Sequence, residues 1–570
     1  MTTALVAHGT TSWPIGGVQH WEETGARLES AIASYLHSCL ALEQSTSTAP
    51  PVGVGNLPTH LDRRLEYFHT LLTQPLAQSL ASVARTRNKL VTSIHRIPSE
   101  VLGTIFDFAV KSAGNDLPME SAIPASCLCL YRIVSVCSVW RKIGLAHARL
   151  WILVPLVYFN RSGIITIKSA YFSFERAGRS ELHLVANLGL NFILGPPLAK
   201  KIADNGSRFR TINLRSSSHF VLEHILDPIL MTAAPGSISD LSLCYHPPTD
   251  AIGLLGFDTP SKQAAFESIL NSLRVLRLNN ILPDTDNPTF GSLVELRIQA
   301  ISFGTDLHLR EFLQRLGSAS YLQTLDIISV EASEVATSPS SPHDPYSIPS
   351  LQTLFLDGLS SNVIQTILSS IKPGTHRTVL SATNDIYITH RPEGRFFTGI
   401  LSLQNVIQGY NIDTVVIGEA GYAFDDFCPL LSILPDLTTI YFDEQHLGRA
   451  SLAALTRRSD IPESQLNLPK LRRIYISCSN IDDIGDQTAF KNMLSSHPLE
   501  ELVLGGQLSE VAEITEPGNA SNGDLDYVDI AGPDVRTISI RTWLQANIPK
   551  FTLLGRTEHF KFKSSDWQLW

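Results

Sequence analysis

Apolar positions along the chain change spacing three times. Between Gly25 and Leu42, the residues Leu28, Ile32, Leu36, Cys39 and Leu40 fall on one stripe of a helix. A second helical pattern runs from Thr59 to Thr92, with Leu61, Leu65, Phe68, Leu72, Leu76, Leu80, Val83 and Leu90 on its apolar face. Pro75 has no N–H and predicts a break just before it. From Ile94 the texture tightens. Pro98 suits a first helical turn, and Leu102, Ile105 and Phe106 then share a face. Lys111–Ala125 reads as a loop and Ser126–Gly144 as a second helix, with Leu130, Ile133, Val136, Cys137 and Trp140 apolar. Leu150–Val154 reads as a strand.

Beyond that point one phrase recurs: apolar, two variable, apolar, one variable, apolar. It appears as Phe209-Ile212-Leu214, Ile238-Leu241-Leu243, Leu273-Leu276-Leu278, Leu293-Leu296-Ile298, Leu322-Leu325-Ile327 and Leu351-Leu354-Leu356. It resumes as Ile412-Val415-Ile417, Leu437-Ile440-Phe442, Leu471-Ile474-Ile476 and Leu499-Leu502-Leu504, with Val535-Ile538-Ile540 as a plausible last copy. The gap leaves room for a degenerate copy near Arg377–Ser381. Steps of about 20–36 residues follow the leucine-rich period loosely. The intervals carry amphipathic helical patterns, as in Ala264–Asn271 and Asn362–Ile371. A unit of this kind cannot bury its own apolar face, so the units stack into a solenoid, strands on the concave side and helices on the convex side. The fold expected is therefore α/β, a helical N-terminal region followed by a leucine-rich-repeat-like solenoid with a curved, mostly parallel sheet.

Composition narrows the functions. Hydrophobic types make up 44% of 570 residues and charged types only 17%, which excludes a wholly disordered or coiled-coil chain. The net charge of −10, from 44 basic and 54 acidic residues, offers no domain-scale basic surface for phosphates, so nucleic acid is not the expected ligand. The apolar run Leu150–Phe159 is about half of what a membrane span needs, and Met1–Thr11 has no basic start before an apolar run. Seven scattered cysteines point to a reducing compartment, the cytoplasm or nucleus. Sequons at Asn160, Asn205 and Asn519 are read as chance matches.

The motifs of catalysis are missing. Cys127 and Cys129 face different sides of a helix, and no His pair completes a zinc spacing with them or Cys137. Gly53-Val54-Gly55 lacks a phosphate-loop continuation, and the adjacent Asp425-Asp426 carboxylates diverge. No catalytic residue, metal or cofactor is assigned.

The segment Ile94–Trp151 resembles an F-box. Ile97-Pro98-Ser99-Glu100-Val101-Leu102, then Ile105-Phe106, then Val136-Cys137-Ser138-Val139-Trp140-Arg141 and a closing Leu150-Trp151 match its residue types and order, with Ile97 in place of the usual leucine and a long intervening loop. The Ser93-Ile94…Ile97-Pro98 entry and the Glu175–Leu184 phrase are similar to those of large F-box families of mushroom-forming fungi. The resemblance implies a module that docks on the Skp-family adaptor, and through it on cullin, in an SCF-type ubiquitin ligase, while the repeats hold an unknown target protein. It implies adaptor contacts at Ile97, Pro98, Val101, Leu102, Ile105, Phe106, Val136, Cys137 and Trp140. A module this small cannot absorb so much apolar surface, which agrees with docking, although a small helical core is the alternative. On the array, Arg274, Arg277, Glu295, Arg297, Arg472, Arg473 and Tyr475 are candidates for the concave face. The expected organisation is an extension over 1–58 with one helix and a helical lead-in over 59–93. An F-box over 94–151 follows, then a solenoid over 152–545 interrupted near 337–349, 382–395 and 508–533, and a terminal segment over 546–570. The alternative function is a repeat-based interaction scaffold working outside any ligase.

Overall fold

A computed structural model describes residues 15–48, 56–91, 94, 97–115, 117–157, 167–190, 192–247, 252–284, 290–335, 344–398, 403–418, 427–457, 468–481, 488–510, 526–556 and 566–569. The linker core 49–55, the sequons Asn160 and Asn519, Asp425-Asp426 and most of the Ser/Pro-rich and acidic insertions lie outside the described residues. The chain divides into two compact units, Met1–Pro98 and Ser99–Trp570.

The first unit is two long helices, α1 (Ile15–Thr48) and α2 (Leu57–Val91). Helix α1 runs past its expected bounds at both ends, whereas α2 starts two residues before Thr59 and ends at Val91. Helix α1 starts ten residues before Gly25, because Trp21 and Val18 continue its apolar spacing. Helix α2 runs through Pro75 without a break. A single proline removes one i→i−4 bond, and a helix this long carries that loss.

The second unit opens with α3 (Ser99–Ser112), α4 (Met119–Val136) and α5 (Ser138–Ala146). The expected loop Lys111–Ala125 is largely helix. Its second half, Met119–Ala125, forms the first turns of α4, with Pro124 inside the helix at the cost of one bond to the Glu120 carbonyl. The single helix expected over Ser126–Gly144 is two, since Cys137 adopts an extended backbone and caps α5. Leu150 and Trp151 end a short 3₁₀ turn, and the strand starts at Leu153.

One fourteen-stranded sheet follows. Its strands are β1 (Leu153–Val157), β2 (Leu182–Leu188), β3 (Phe209–Ser216), β4 (Asp240–Tyr245), β5 (Val275–Asn279), β6 (Glu295–Gln299) and β7 (Thr324–Ile328). The rest are β8 (Thr353–Asp357), β9 (Arg377–Ala382), β10 (Ile412–Ile417), β11 (Thr439–Asp443), β12 (Arg473–Ser477), β13 (Glu501–Leu504) and β14 (Lys550–Leu553). Each strand pairs in parallel with its predecessor, so chain order and spatial order coincide. This is the leucine-rich-repeat-like α/β solenoid.

The recurrent phrase maps onto the ladder. Ile212, Leu241, Leu276, Leu296, Leu325 and Leu354 stand in one row, and Leu214, Leu243, Leu278, Ile298, Ile327 and Leu356 in the next. All twelve are at most 1% exposed, so each contributes about 1.5–3 kcal/mol of burial. A register shift between Thr378 and Val379 of β9 then moves the pairing, so that Leu380 aligns with Val415 and Ala382 with Ile417. Against β8 the register is regular, Thr378 opposite Leu354 and Leu380 opposite Leu356, so a buried threonine in the leucine row is what weakens the phrase near Arg377–Ser381, which is nevertheless a strand. The phrase at Val535-Ile538-Ile540 is helix, Val535–Asn547, and the last strand is Lys550–Leu553. Helical spacing i, i+3, i+5 there imitated the strand phrase. Strands β1 and β2 precede the first recognised copy.

Strand ends share a backbone device. Asn280, Ala300, Ser329, Gly358, Glu444 and Cys478 directly follow β5, β6, β7, β8, β11 and β12, and all have φ between 44° and 60°. The left-handed step turns the chain off the sheet toward the convex side, and five of the six positions hold a residue with a Cβ that disfavours it. The insertion at 382–395 contains an antiparallel pair, Ile388–Arg391 with Gly394–Phe397.

Candidate functional site

The helical module α3–α5 sorts its apolar residues by face. Helix α3 turns Leu102 and Phe106 inward, at 1% and 2% exposure, and Val101, Ile105 and Phe108 outward, at 47%, 45% and 67%. The outward three are spaced i, i+4, i+7 and make one stripe. Trp140 of α5 is half-buried and packs its ring 4.7 Å from that of Phe106. Gly103 lets α3 approach His147, since a Cβ there would lie 2.7 Å from Nδ1. The α4–α5 corner is fixed by the Trp140 N–H on Cys137 Sγ (3.4 Å), and by Arg141 Nε donating to the Val134 carbonyl (3.0 Å). Val136 at that corner is 61% exposed. Trp151 is buried and donates Nε1–H to the Gly144 carbonyl at 2.8 Å, with the Arg176 guanidinium 4.6 Å over its ring, which ties α5 to the start of the sheet.

Of the nine residues assigned to adaptor contact, Val101, Ile105 and Val136 are exposed, and Cys137 and Trp140 are partly so. Leu102 and Phe106 are core residues, 1% and 2% exposed. Ile97 is half-buried and Pro98 exposed at the end of the first unit, and α3 begins just after them. Phe108 extends the stripe at i+7 from Val101, beyond the end of the F-box-like order at Phe106.

The face of the sheet opposite the leucine rows is not uniform. At its first strands it is covered by the chain itself. Met119, Ala122 and Ile123 of α4 form one buried cluster with Val157, Val185 and Cys244 of the strands and with Trp567 and Leu569 from the C-terminal segment. Asn213, 6% exposed, is the polar hub: it accepts from Trp567 Nε1 at 2.8 Å and donates Nδ2–H to the carbonyls of Gln568 (2.9 Å) and Leu569 (3.0 Å). The Met119 N–H donates to the Trp567 carbonyl at 2.7 Å, Pro118 and Gln568 form an antiparallel bridge, and Arg215 pairs with Glu120. Burial pushes the Cys244 thiol up to about 11.

Further along, the same face is charged. Arg277 pairs with Glu295 at 2.7 Å, and Arg297, aligned with Arg277 and Asp326, reaches Gln299 Oε1 at 2.7 Å. Burial draws the Arg297 guanidinium below its ordinary value, opposed by Asp326. Next comes a buried apolar patch of Ile328, Phe355 and Val379. Last, the Tyr441 and Tyr475 rings stack at 4.3 Å and 5°, with Tyr475 Oη donating to Glu501 at 3.0 Å and Glu501 paired with Lys550 at 2.6 Å. Burial raises both tyrosines, and the Lys550 ammonium holds Glu501 below the usual carboxylate range. Tyr475 is therefore spent on the stack, whereas Arg277, Glu295, Arg297 and Arg473 are partly accessible and Arg274 and Arg472 are exposed. The outward Arg472 pairs with Glu500 at 2.7 Å.

Among the described residues no group of three or more His, Cys, Asp or Glu is placed to hold a metal. Asn205 donates to the Lys201 carbonyl and accepts from Arg208, so its amide is engaged within the fold. Helix α4 is long and apolar enough to cross a membrane by length and composition alone, and its apolar face is committed to the cluster with Trp567.

No protein-family model matches the sequence, and no curated protein matches it. Solved structures with similarity include a TLR13–ssRNA13 complex (15% identity, TM-score 0.30, 58% of this chain and 42% of that one). Another is an internalin from Listeria monocytogenes (12%, TM-score 0.26, 67% and 88%). A third is the yeast Rad7 and Elc1 complex (12%, TM-score 0.25, 80% and 94%). The chain thus spans less than half the length of the first of these.

Proposed function

We propose that the chain is the substrate-recognition subunit of an SCF-type ubiquitin ligase, docking a Skp-family adaptor through α3–α5 and holding a target protein on the solenoid, in the cytoplasm or nucleus. The observation that carries this reading is the outward stripe Val101, Ile105 and Phe108. It lies within an F-box-like order of residues, on a helix whose inward residues already fill the core. An apolar stripe left over after the core is filled marks an interface. The role is positional: the protein makes no bonds itself and raises the effective concentration of a target lysine near a charged conjugating enzyme.

The test is binding of the full chain to purified Skp-family adaptor by calorimetry, with Val101→Asp/Ile105→Asp/Phe108→Asp as the variant and circular dichroism to verify its fold. The expected result is measurable binding by the wild type and a loss of at least about 100-fold in the folded variant. Absence of wild-type binding, or binding unchanged by the variant, overturns the reading.

A second reading has its own support. Met119, Ala122 and Ile123 lock α4 against the sheet, as a cap on the first repeats would. In that case the module is part of an interaction scaffold acting outside a ligase, and adaptor binds no better than background while other partners co-purify.

A further inference from the structure

The first unit carries an apolar load that its two helices do not bury. On α1, Val18, Trp21, Gly25, Leu28, Ile32, Tyr35, Cys39 and Leu42 recur at alternating intervals of three and four, an unbroken heptad seam, and Leu36 and Leu40 widen it. Helix α2 continues the pattern at Leu61, Leu65, Phe68, Leu72, Leu76, Leu80 and Val83, with three four-residue steps in a row from Phe68 to Leu80 that slip the heptad by one residue around Pro75. The Tyr35 and Phe68 rings meet at 4.9 Å. Tyr35 is 13 residues from the end of α1 and Phe68 is 11 from the start of α2, so the pair is an antiparallel hairpin. Yet Trp21, Ile32, Leu36, Leu65, Leu72 and Leu80 remain 51–69% exposed.

We propose that a second copy of this chain covers this face, the two hairpins joining about a two-fold axis into a four-helix bundle. Three observations select that occupant. The seam is a heptad seam widened by flanking leucines, which suits helices with two neighbours rather than one. The charges complement one another between helices: α1 has Glu22, Glu23, Glu29 and Glu43 against Arg27, a net of −3, and α2 has Arg63, Arg64, Arg85, Arg87 and Lys89 against Asp62 and Glu66, a net of +3. With both turns at the same end, Glu22 and Glu23 of one copy face Arg85 and Arg87 of the other, and the two-fold axis makes the reverse pairing equal. The size is also sufficient. Helices of 34 and 35 residues are about 50 Å long and a hairpin about 20 Å wide, so each copy contributes roughly 1,000 Å², above the roughly 800 Å² per partner of a stable interface. The inference does not depend on the ligase reading.

The test is light scattering of the full chain across a dilution series, with two charge-reversed variants, Glu22→Arg/Glu23→Arg and Arg85→Glu/Arg87→Glu. The expected wild-type mass is twice the 62.6 kDa of one chain. Each variant alone is expected to weaken self-association by roughly tenfold or more, and an equimolar mixture of the two to restore it as a heterodimer, since both sets of cross-pairs become favourable again. Far-UV circular dichroism verifies that each variant keeps its helix content, which separates lost association from lost folding. A wild-type monomer at the highest soluble concentration overturns the proposal, as does a variant that dimerises as the wild type does or a mixture that restores nothing. A monomer that binds anionic phospholipid vesicles assigns the face to a membrane surface and overturns it equally.

Discussion

Replacing Trp567 with alanine is the sharpest probe of how the chain closes on itself. The indole is 8% exposed and sits among Val157, Val185, Cys244, Met119 and Ile123. Deleting a buried Trp side chain costs about 3–5 kcal/mol. It also removes the donor to Asn213 Oδ1, whose loss alone, as in Trp567→Phe, costs about 1–3 kcal/mol if the oxygen stays dry. In a stacked array each part feels chiefly its neighbours, so the cost appears as local opening of β1–β4 rather than as a uniform loss along the sheet. Hydrogen exchange resolved by segment is the suitable assay. Trp567→Ala is expected to speed exchange in residues 182–188 and 209–216 by about two to four orders of magnitude, and Trp567→Phe by about one to two. Exchange in β10–β13 should remain as in the wild type. If Trp567→Ala leaves 182–188 and 209–216 within twofold of the wild type, the C-terminal segment is not docked there and the reasoning fails.

Other outcomes follow from backbone and burial. Gly506 has φ 99°, and a Cβ there would lie 2.1 Å from the Ser479 carbonyl oxygen, so Gly506→Ala should cost about 3 kcal/mol or more; a thermal midpoint within a degree of the wild type would contradict this. Ala300 is exposed with φ 51°, so Ala300→Gly should stabilise by about 0.5–1 kcal/mol in urea titration, the relieved left-handed strain exceeding the entropic cost of glycine. Burial pulls the His497 imidazole down to about 4, held neutral with Nε2 on the Leu455 carbonyl (2.9 Å) and Nδ1 facing the Leu471 N–H (3.4 Å). Its folded value is below its unfolded value near 6.5, so its stabilisation is complete above about pH 6.5 and is lost as pH falls toward 4, by about 2 kcal/mol at pH 5. His497→Asn should flatten that part of the pH–stability curve, and an unchanged slope would place the dependence on other groups.

The solenoid was legible because its rule is local and repeated. A leucine at Leu241 or Leu325 has the same neighbours in sequence and in space, so spacing alone located the strand. The phrase failed where that link broke. At Thr378 a buried threonine stands in the leucine row, and at Val535 helical spacing produced the same string. The module was legible in order but not in role. Residue type at Leu102 and Ile105 is nearly the same, and only the helix phase turns one to the core and the other to solvent. The break at Cys137 gave no proline or glycine signal, and its cap is made by a thiol. The covering of β1–β4 could not be read at all. Asn213 and Trp567 are 354 residues apart, and no local pattern records a pairing over that distance.

That covering redistributes what the concave face can do. A target approaching the first strands meets α4 and Trp567–Leu569, and it reaches Val185 or Asn213 only by displacing contacts worth several kcal/mol. The Ile328–Phe355–Val379 patch and the Tyr441–Tyr475 stack are buried as well, so they hold the sheet rather than greet a partner. The accessible chemistry is the ladder of Arg277, Glu295 and Arg297 between these regions, together with Arg274 and the Arg472–Glu500 pair just before the strands that follow them. The Arg472–Glu500 pair is exposed and contributes about 0–1 kcal/mol, so the fold has scant need of it, whereas Arg277, Glu295 and Arg297 are half-buried and also serve the sheet. The value of an exposed pair is in specificity, because a partner must supply matching charges to break it without loss. If the solenoid holds a target, the exposed Arg472–Glu500 pair is where selection can be altered alone, and reversing both residues should change which proteins are bound while leaving the fold intact.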